Sequence, residues 1–272
     1  MPQGRHVQAM FSGIAGKYDY LNHLLSFGAD FHWWRRMALA SGAGPGKFFL
    51  DVAAGTGDSS LALARRGAEV VSTDFTQAML RLGPDKFRRR GLGHRVWASV
   101  GADAQCLPFR SACFDGVTIC YGIRNVEDRV RAYREFLRVL KPEGQLTILE
   151  FSRPRSALLR ILYDAYSLKV LPRVGGWVSG DRGAYSYLPE SIRAFPDQRS
   201  LAAELAAAGF GQVRWTDLTG GIVALHTARK PPSAIMGPGA GDWLSRFQPS
   251  RSVSVSEALP CPSPILPSPR TS

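Results

Sequence analysis

The stretch Asp51–Asp58, DVAAGTGD, constrains the fold of this chain more than any other. It follows the apolar run Phe48-Phe49-Leu50 and precedes SSLALARRG, a segment with helical character. Strand, tight glycine turn, helix: an α/β protein uses that order to bring bare backbone against a nucleoside cofactor. Gly55 and Gly57 lack a Cβ, so the chain can turn sharply there and lie close to a ligand. The first free N–H groups of the helix then point at whatever sits in the turn.

A βα rhythm continues from that point. Apolar runs at 47–53, 69–73, 95–100, 114–120 and 145–151 read as buried strands, with helical patterns between them at 59–66, 76–90 and 128–140. Such alternation predicts a parallel sheet covered by helices on both faces. Two further strands, near 212–217 and 222–228, follow a helix at 199–208 that Gly209 ends. The expected fold class is therefore α/β, a doubly wound, mostly parallel seven-stranded sheet. Upstream, Val7, Met10, Phe11 and Ile14 share a helical face, as do Leu21, Leu24 and Leu25, and then Trp33, Trp34, Met37 and Ala38. Residues 5–40 accordingly read as helices packed on the main domain.

Residues 154–198 break the rhythm. They are aromatic and Arg-rich, with Tyr163, Tyr166, Trp177, Tyr185 and Tyr187, and read as a helical lid insertion over the ligand edge of the sheet. From Pro231 onward Pro, Ser and Gly dominate without apolar periodicity, so 231–272 reads as a disordered tail that cannot offset its ordering entropy. The expected division is one domain over 1–230, with 1–46 as N-terminal helices and 154–198 as the lid, followed by the tail.

The length of 272 residues demands no second domain. The formal net charge of +12 favours anionic partners: nucleic acid, anionic lipid or acidic substrates. The basic run Lys86–Arg95, KFRRRGLGHR, suits lipid headgroups or a solvated helix face. The four cysteines, Cys106, Cys113, Cys120 and Cys261, form no C-x-x-C pair and cluster with no histidine. Neither zinc nor a disulfide framework is expected, and a reducing cytoplasm is the simplest compartment. No apolar run approaches the roughly 18 residues of a membrane span, and the opening MPQGRHVQAMF lacks the apolar core of a secretory signal.

The glycine turn alone leaves two cofactors open. A dinucleotide fingerprint wants G-x-G-x-x-G, and its third glycine would fall on Ser60. Asp74, ending the second strand, suits the ribose hydroxyls of either cofactor. Asp51 and Asp58 bracket the turn with negative charge, which repels a pyrophosphate and tolerates the ammonium and sulfonium of S-adenosylmethionine. Asp103, after the third strand, is placed to accept from an adenine amine. Four acids near the C-terminal ends of strands favour S-adenosylmethionine over nicotinamide.

These residues resemble the ubiquinone/menaquinone biosynthesis C-methyltransferases. The likeness runs from about Val7 to Lys230 and includes MFSGIAGKYDYLNHLLSFGADFHWWRR (10–36), STDFTQAML (72–80), GADAQCLPF (101–109) and FDGVTICYGIRNVEDR (114–129). KYDYLN, GIRN, YSYLPESI and LTGGIVALH are the stretches specific to that family. The resemblance implies a class I, Rossmann-like, S-adenosylmethionine-dependent enzyme. It places Thr56, Asp74, Asp103 and Ala104 in the cofactor pocket, and Asp51, Gly55 and Gly57 of the turn are expected to bind the cofactor with them. Cys120 stands where family members often carry a small hydroxyl residue, and Glu143 replaces a familiar glycine of a K-P-x-G turn.

The reaction the resemblance implies moves a methyl group from S-adenosylmethionine to a ring carbon of a polyprenyl hydroquinone. Demethylmenaquinol to menaquinol is the first expectation, and 2-polyprenyl-6-methoxy-benzoquinol in ubiquinone synthesis is the alternative. Only a reduced ring is electron-rich enough to react. Among the polar members of the family stretches, Asp19, Arg124 and Asn125 are the catalytic candidates. Arg124 would lower the phenol's pKa and Asp19 would take its proton; Tyr18, Asn22 and His226 are polar neighbours. The expected partners are the hydroquinone and, at the periphery, an anionic membrane; a homodimer is compatible with both, and no nucleic-acid partner is expected. An RNA methyltransferase, a small-molecule methyltransferase and a non-enzymatic scaffold remain as rival readings of the same framework.

Overall fold

The computed structural model describes residues 12–13, 18–166, 182–232 and 255–256. Helices α1 (Tyr18–Leu25) and α2 (Ala29–Ala40) lead into β1 (Phe48–Val52), α3 (Asp58–Ala64) and β2 (Glu69–Asp74). Two short helices, α4 (Gln77–Leu80) and α5 (Gly83–Arg89), precede β3 (Val96–Gly101), β4 (Phe114–Cys120), α6 (Arg129–Val139) and β5 (Leu140–Phe151). Then come α7 (Ala157–Ala165), α8 (Arg182–Ala194), α9 (Gln198–Ala207), β6 (Gly211–Leu218), β7 (Val223–Arg229) and β8 (Val255–Ser256).

The sheet order is β6-β7-β5-β4-β1-β2-β3-β8. The strands from β5 to β8 run parallel, and β7 is antiparallel to both β5 and β6. The order reverses between β1 and β4, the switch point where open α/β sheets leave a crevice for a ligand. Successive side chains leave a strand on opposite faces, and both faces are covered. Leu50, Val52, Val117, Ile119 and Ile148 pack with Tyr133 and Phe136 of α6 and Leu201 and Leu205 of α9. Phe49, Val70, Leu149 and Leu225 pack with Trp33 and Met37 of α2, Leu61 of α3 and Phe87 of α5.

Three details differ from the sequence reading. The single helix expected over 76–90 is two, because Pro84 has no N–H to continue α4 and instead sits in the first turn of α5. An eighth strand, only two residues long, pairs with β3 from within the stretch read as a disordered tail; nothing in its composition announces it. Cys113 and Cys120 are free and buried, whereas Cys106 is disulfide-bonded, with no C-x-x-C spacing to signal it. Val7, Met10, Phe11, Ile14, Trp177 and most of 231–272 also lie outside the described residues.

Candidate active site

The glycine turn leaves β1 at the switch point. Ala53, directly after the strand, has φ 52°, and Tyr121, directly after β4, has φ 56°. Residues with side chains rarely adopt that conformation, and clusters of them mark sites where packing imposes strain. Gly55 and Gly57 also have positive φ, for different reasons. A Cβ on Gly55 would meet only the terminal methyl of Met79, at 3.5 Å, an ordinary van der Waals contact. A Cβ on Gly57 would fall 2.4 Å from the Phe87 ring. Gly55 thus keeps backbone bare, and Gly57 makes room for α5.

Each acid of the turn has its own task. Asp51 is fully buried; its Oδ2 accepts from the Ser59 and Ser60 hydroxyls at 2.6 Å each, and its Oδ1 from Thr118 at 2.8 Å. Burial pushes its carboxyl up to about 6, against the pull of those three hydroxyls. Asp51 therefore ties β1 to α3 and β4, and both its oxygens face protein. Ser60, read from sequence as a missing glycine, is a member of this knot and also meets the Ser72 hydroxyl at 2.7 Å. Asp74 accepts from Gly55 N–H at 2.8 Å and Thr76 N–H at 2.7 Å, and burial raises its carboxyl. It fixes the turn while keeping lone pairs for further donors.

Asp58 does not cap α3. That helix has Gly57 at its N-cap without a side-chain bond, and the Asp58 carboxylate pairs with Lys86 at 2.6 Å. The same ammonium lies 2.7 Å from Asp19 and 3.2 Å from the Thr56 hydroxyl, which itself donates to Asp19 at 2.5 Å. One lysine of the basic run thus points inward, joining α1, α3 and α5 around the turn. The structure places Asp19 on the cofactor turn, with Lys86 and Thr56 on its two oxygens. On the adenine side, Asp103 accepts from the backbone N–H and side-chain amide of Gln105, at 2.9 and 3.1 Å, beside buried Ala104.

The ends of β4 and β5 form a second polar cluster. Arg124, in the 3-10 turn Ile123–Asn125, has a side chain only 4% exposed and pairs with Glu150, 1% exposed, at 2.6 Å. Arg124 Nη1 also donates to the Tyr121 carbonyl at 2.5 Å, and its guanidinium lies over Phe151, 5.5 Å from the ring centre. Its Nε is buried with no partner among the described residues. Burial raises the Glu150 carboxyl although Arg124 pulls it down. Burial also raises the neighbouring Tyr163 hydroxyl, to about 12, and both Arg124 and Glu150 act on it. Trp33, Tyr121 and Phe151 wall this region with ring centres 4.7–6.4 Å apart. Asn125 shares the turn with Arg124, its N–H donating to the Gly122 carbonyl at 3.0 Å. His226 of β7 stands opposite Ile148 of β5, two residues from Glu150, and its ring nitrogen meets the Gln198 carbonyl at 2.9 Å; burial lowers its pKa.

Sequence reasoning missed Glu150 and Lys86. Glu150 had a signal: a lone acid in the apolar run LTILEF of a strand buried on both faces. Lys86 had none, because nothing separates it from the cations that follow it.

Fold and switch-point site together define a class I methyltransferase scaffold. Among solved structures the chain is similar to the [4+2]-cyclase SpnF, with TM-score 0.65 and 22% identity over 86% of this chain and 98% of that one. It is also similar to an S-adenosylmethionine-dependent methyltransferase from Aquifex aeolicus, with TM-score 0.54 and 18% identity over 72% and 88% of the two chains. At those identities the likeness concerns the fold alone. Residues 2–230 match the ubiE/COQ5 methyltransferase family, and the chain belongs to that family. A demethylmenaquinone methyltransferase from Mycolicibacterium paratuberculosis is 47% identical over 84% of this chain and 95% of its own. The ubiquinone/menaquinone biosynthesis C-methyltransferase UbiE of Idiomarina loihiensis is 47% identical over 82% and 90%. The protein is an S-adenosylmethionine-dependent methyltransferase. Its turn fits that cofactor: the backbone at Gly55 is bare, and the acid beside it has acceptor capacity left for hydroxyl donors.

Proposed function

We propose that the protein methylates a ring carbon of a polyprenyl hydroquinone, converting demethylmenaquinol to menaquinol. The buried Nε–H of Arg124, without a partner among the described residues and beside an aromatic wall, carries this reading. A buried donor without an acceptor costs free energy, and a phenolic oxygen supplies the acceptor. The name of the Mycolicibacterium relative supports the naphthoquinol. The name of the Idiomarina relative supports a benzoquinol precursor of ubiquinone as a second substrate.

Bound S-adenosylmethionine supplies an activated methyl group on a sulfonium. This chain's residues align and polarise. Gly55, Thr56, Gly57 and Asp74 hold the cofactor's sugar end, with Asp51 locking the turn from behind, and Asp103 and Ala104 hold the adenine. Arg124 donates to the acceptor's oxygen and stabilises the phenolate formed when the phenolic proton passes to solvent; the ring carbon's own proton leaves the same way once that carbon has gained the methyl group, and Asn125 positions the same oxygen. Asp19 pins α1 over the turn through Lys86. Alignment of two reactants is worth about 7–11 kcal/mol where it is complete.

Removing one such donor lowers turnover by about 10²–10³-fold. Arg124→Ala is expected to do so while the dissociation constant for S-adenosylmethionine, read by calorimetry, stays within about threefold. Wild-type turnover in that variant removes Arg124 from the reaction. In a deletion strain, mass spectrometry is expected to show a quinone lighter by one methyl group, and its ring names the substrate. An unchanged quinone profile overturns the assignment.

A further inference from the structure

Helix α7 is apolar on two sides. Its inner side carries Leu159, whose Cδ2 occupies the space a Cβ on Gly220 would need, and Tyr163, on which Arg124 and Glu150 act. Its outer side carries Leu158, Ile161, Leu162 and Ala165, spaced i, i+3, i+4 and i+7. That spacing normally marks the face an amphipathic helix buries. Here Leu158 is 68% and Ile161 66% exposed, and the helix buries no residue fully.

A second apolar stripe lies beside it. Tyr20, Leu24, Phe27 and Phe31 are spaced by three or four residues along α1 and the start of α2, and all are exposed, Phe27 to 85%. The two stripes join at Tyr166, whose ring centre is 6.0 Å from that of Phe27 and whose hydroxyl donates to the Leu25 carbonyl at 2.8 Å. Contiguous exposed apolar surface of this kind marks an interaction site.

Charge selects the partner. Each acid of α1, α2 and α7 is engaged: Asp19 with Lys86, Asp30 with His23, and Asp164 with Arg193. Arg35 and Arg36 of α2 and Arg160 of α7 remain exposed. The face thus offers large apolar side chains with cations around them and no unpaired carboxylate. A helix face of that make-up suits the boundary between anionic headgroups and acyl chains. The basic run expected from sequence to meet lipid is less available, since Lys86 and Arg95 are held in ion pairs with Asp58 and Glu69.

We propose that α7 and the α1–α2 corner dock this protein on an anionic phospholipid bilayer. The outer stripes enter the headgroup boundary, and the inner side of α7 leads from the bilayer toward Arg124. The route for the acceptor rests on the polyprenyl hydroquinone reading; the docking itself does not.

The test is flotation of the full chain with vesicles of phosphatidylglycerol and phosphatidylcholine, and with phosphatidylcholine alone. Binding is expected on the anionic vesicles, weakening as salt is raised. Ile161→Asp with Leu158→Asp, and separately Phe27→Ser, are expected to lower the bound fraction about tenfold or more, because apolar burial drives insertion. Arg35→Gln with Arg160→Gln is expected to weaken binding on anionic vesicles alone. Circular dichroism and turnover of a water-soluble short-chain hydroquinone are expected to match the parent in every variant. Absent binding by the parent chain, or equal binding by the apolar variants, overturns the docking face. So does light scattering that shows a dimer which Ile161→Asp dissociates, because the stripes then cover a second copy. A parent chain that binds vesicles but methylates no hydroquinone sinks the substrate reading and leaves the docking face standing.

Discussion

The two ends of the site hold their charges differently. At the cofactor end, Asp51 and Asp74 sit among hydroxyls and backbone N–H groups, neutral donors that fix each carboxylate without cancelling it. At the ends of β4 and β5, Arg124 and Glu150 cancel one another in a nearly dry cluster and leave one N–H without a partner among the described residues. The first arrangement makes a rigid surface with negative character for a cationic cofactor. The second buries its charge as a pair. SpnF shares the fold and bears the name of a cyclase, so the scaffold by itself does not choose the chemistry.

The sharpest way to break this comparison is Glu150→Ala. It leaves a guanidinium buried without a counter-ion and is expected to cost about 3–5 kcal/mol in urea unfolding. Glu150→Gln is expected to cost less, because it keeps a neutral acceptor. A loss below about 1 kcal/mol for the alanine variant would mean the pair is solvated in solution.

The cofactor end has its own signature in pH. The Asp51 carboxyl is raised from 3.8 to about 6, so the folded state binds this proton more tightly than the unfolded chain does. Stability from this group is fullest below about 4 and falls as pH rises to about 6. That gap corresponds to about 3 kcal/mol. Asp51→Asn removes the titration, so parent stability relative to the variant should drop by about that amount between about pH 4 and pH 7. A pH-independent difference would show that the three hydroxyls hold the carboxylate near its ordinary value.

Gly57→Ala tests the packing behind the turn. Its Cβ would meet the Phe87 ring in a backbone conformation with φ 92°, and a loss of about 2 kcal/mol is expected. Phe87→Leu in the same chain should recover part of it; no recovery would place the strain in the backbone alone. The smallest effect belongs to Lys86→Met, which unties α1 from the turn. It is expected to weaken S-adenosylmethionine binding about tenfold or less with little change in saturated turnover, and Lys86→Arg to restore it. A fall in turnover at saturating cofactor would instead move Lys86 toward the acceptor.

The fold was legible because parallel strands buried on both faces must be nearly continuous apolar runs, and the helices between them must repeat at 3.6 residues. Chain-local glycine chemistry likewise exposed the turn at Gly55. Asp74 and Asp103 could be placed from sequence because each ends or follows a strand. Lys86, Glu150 and Ser60 could not be assigned, since their roles depend on partners brought from 9 to 67 residues away. Asp19 illustrates the limit. Its family stretch marked it as polar and functional, yet only packing decided that it faces Lys86 and Thr56.

By itself, then, the amino-acid sequence determined the sheet, the turn and the cofactor, all of which follow from local pattern and backbone stereochemistry. Tertiary structure alone decided which charges meet: it turned Lys86 inward, sealed Arg124 against Glu150, and left the apolar stripes of α1, α2 and α7 outside. Burial and pairing are properties of neighbours in space, and no periodicity along the chain records them.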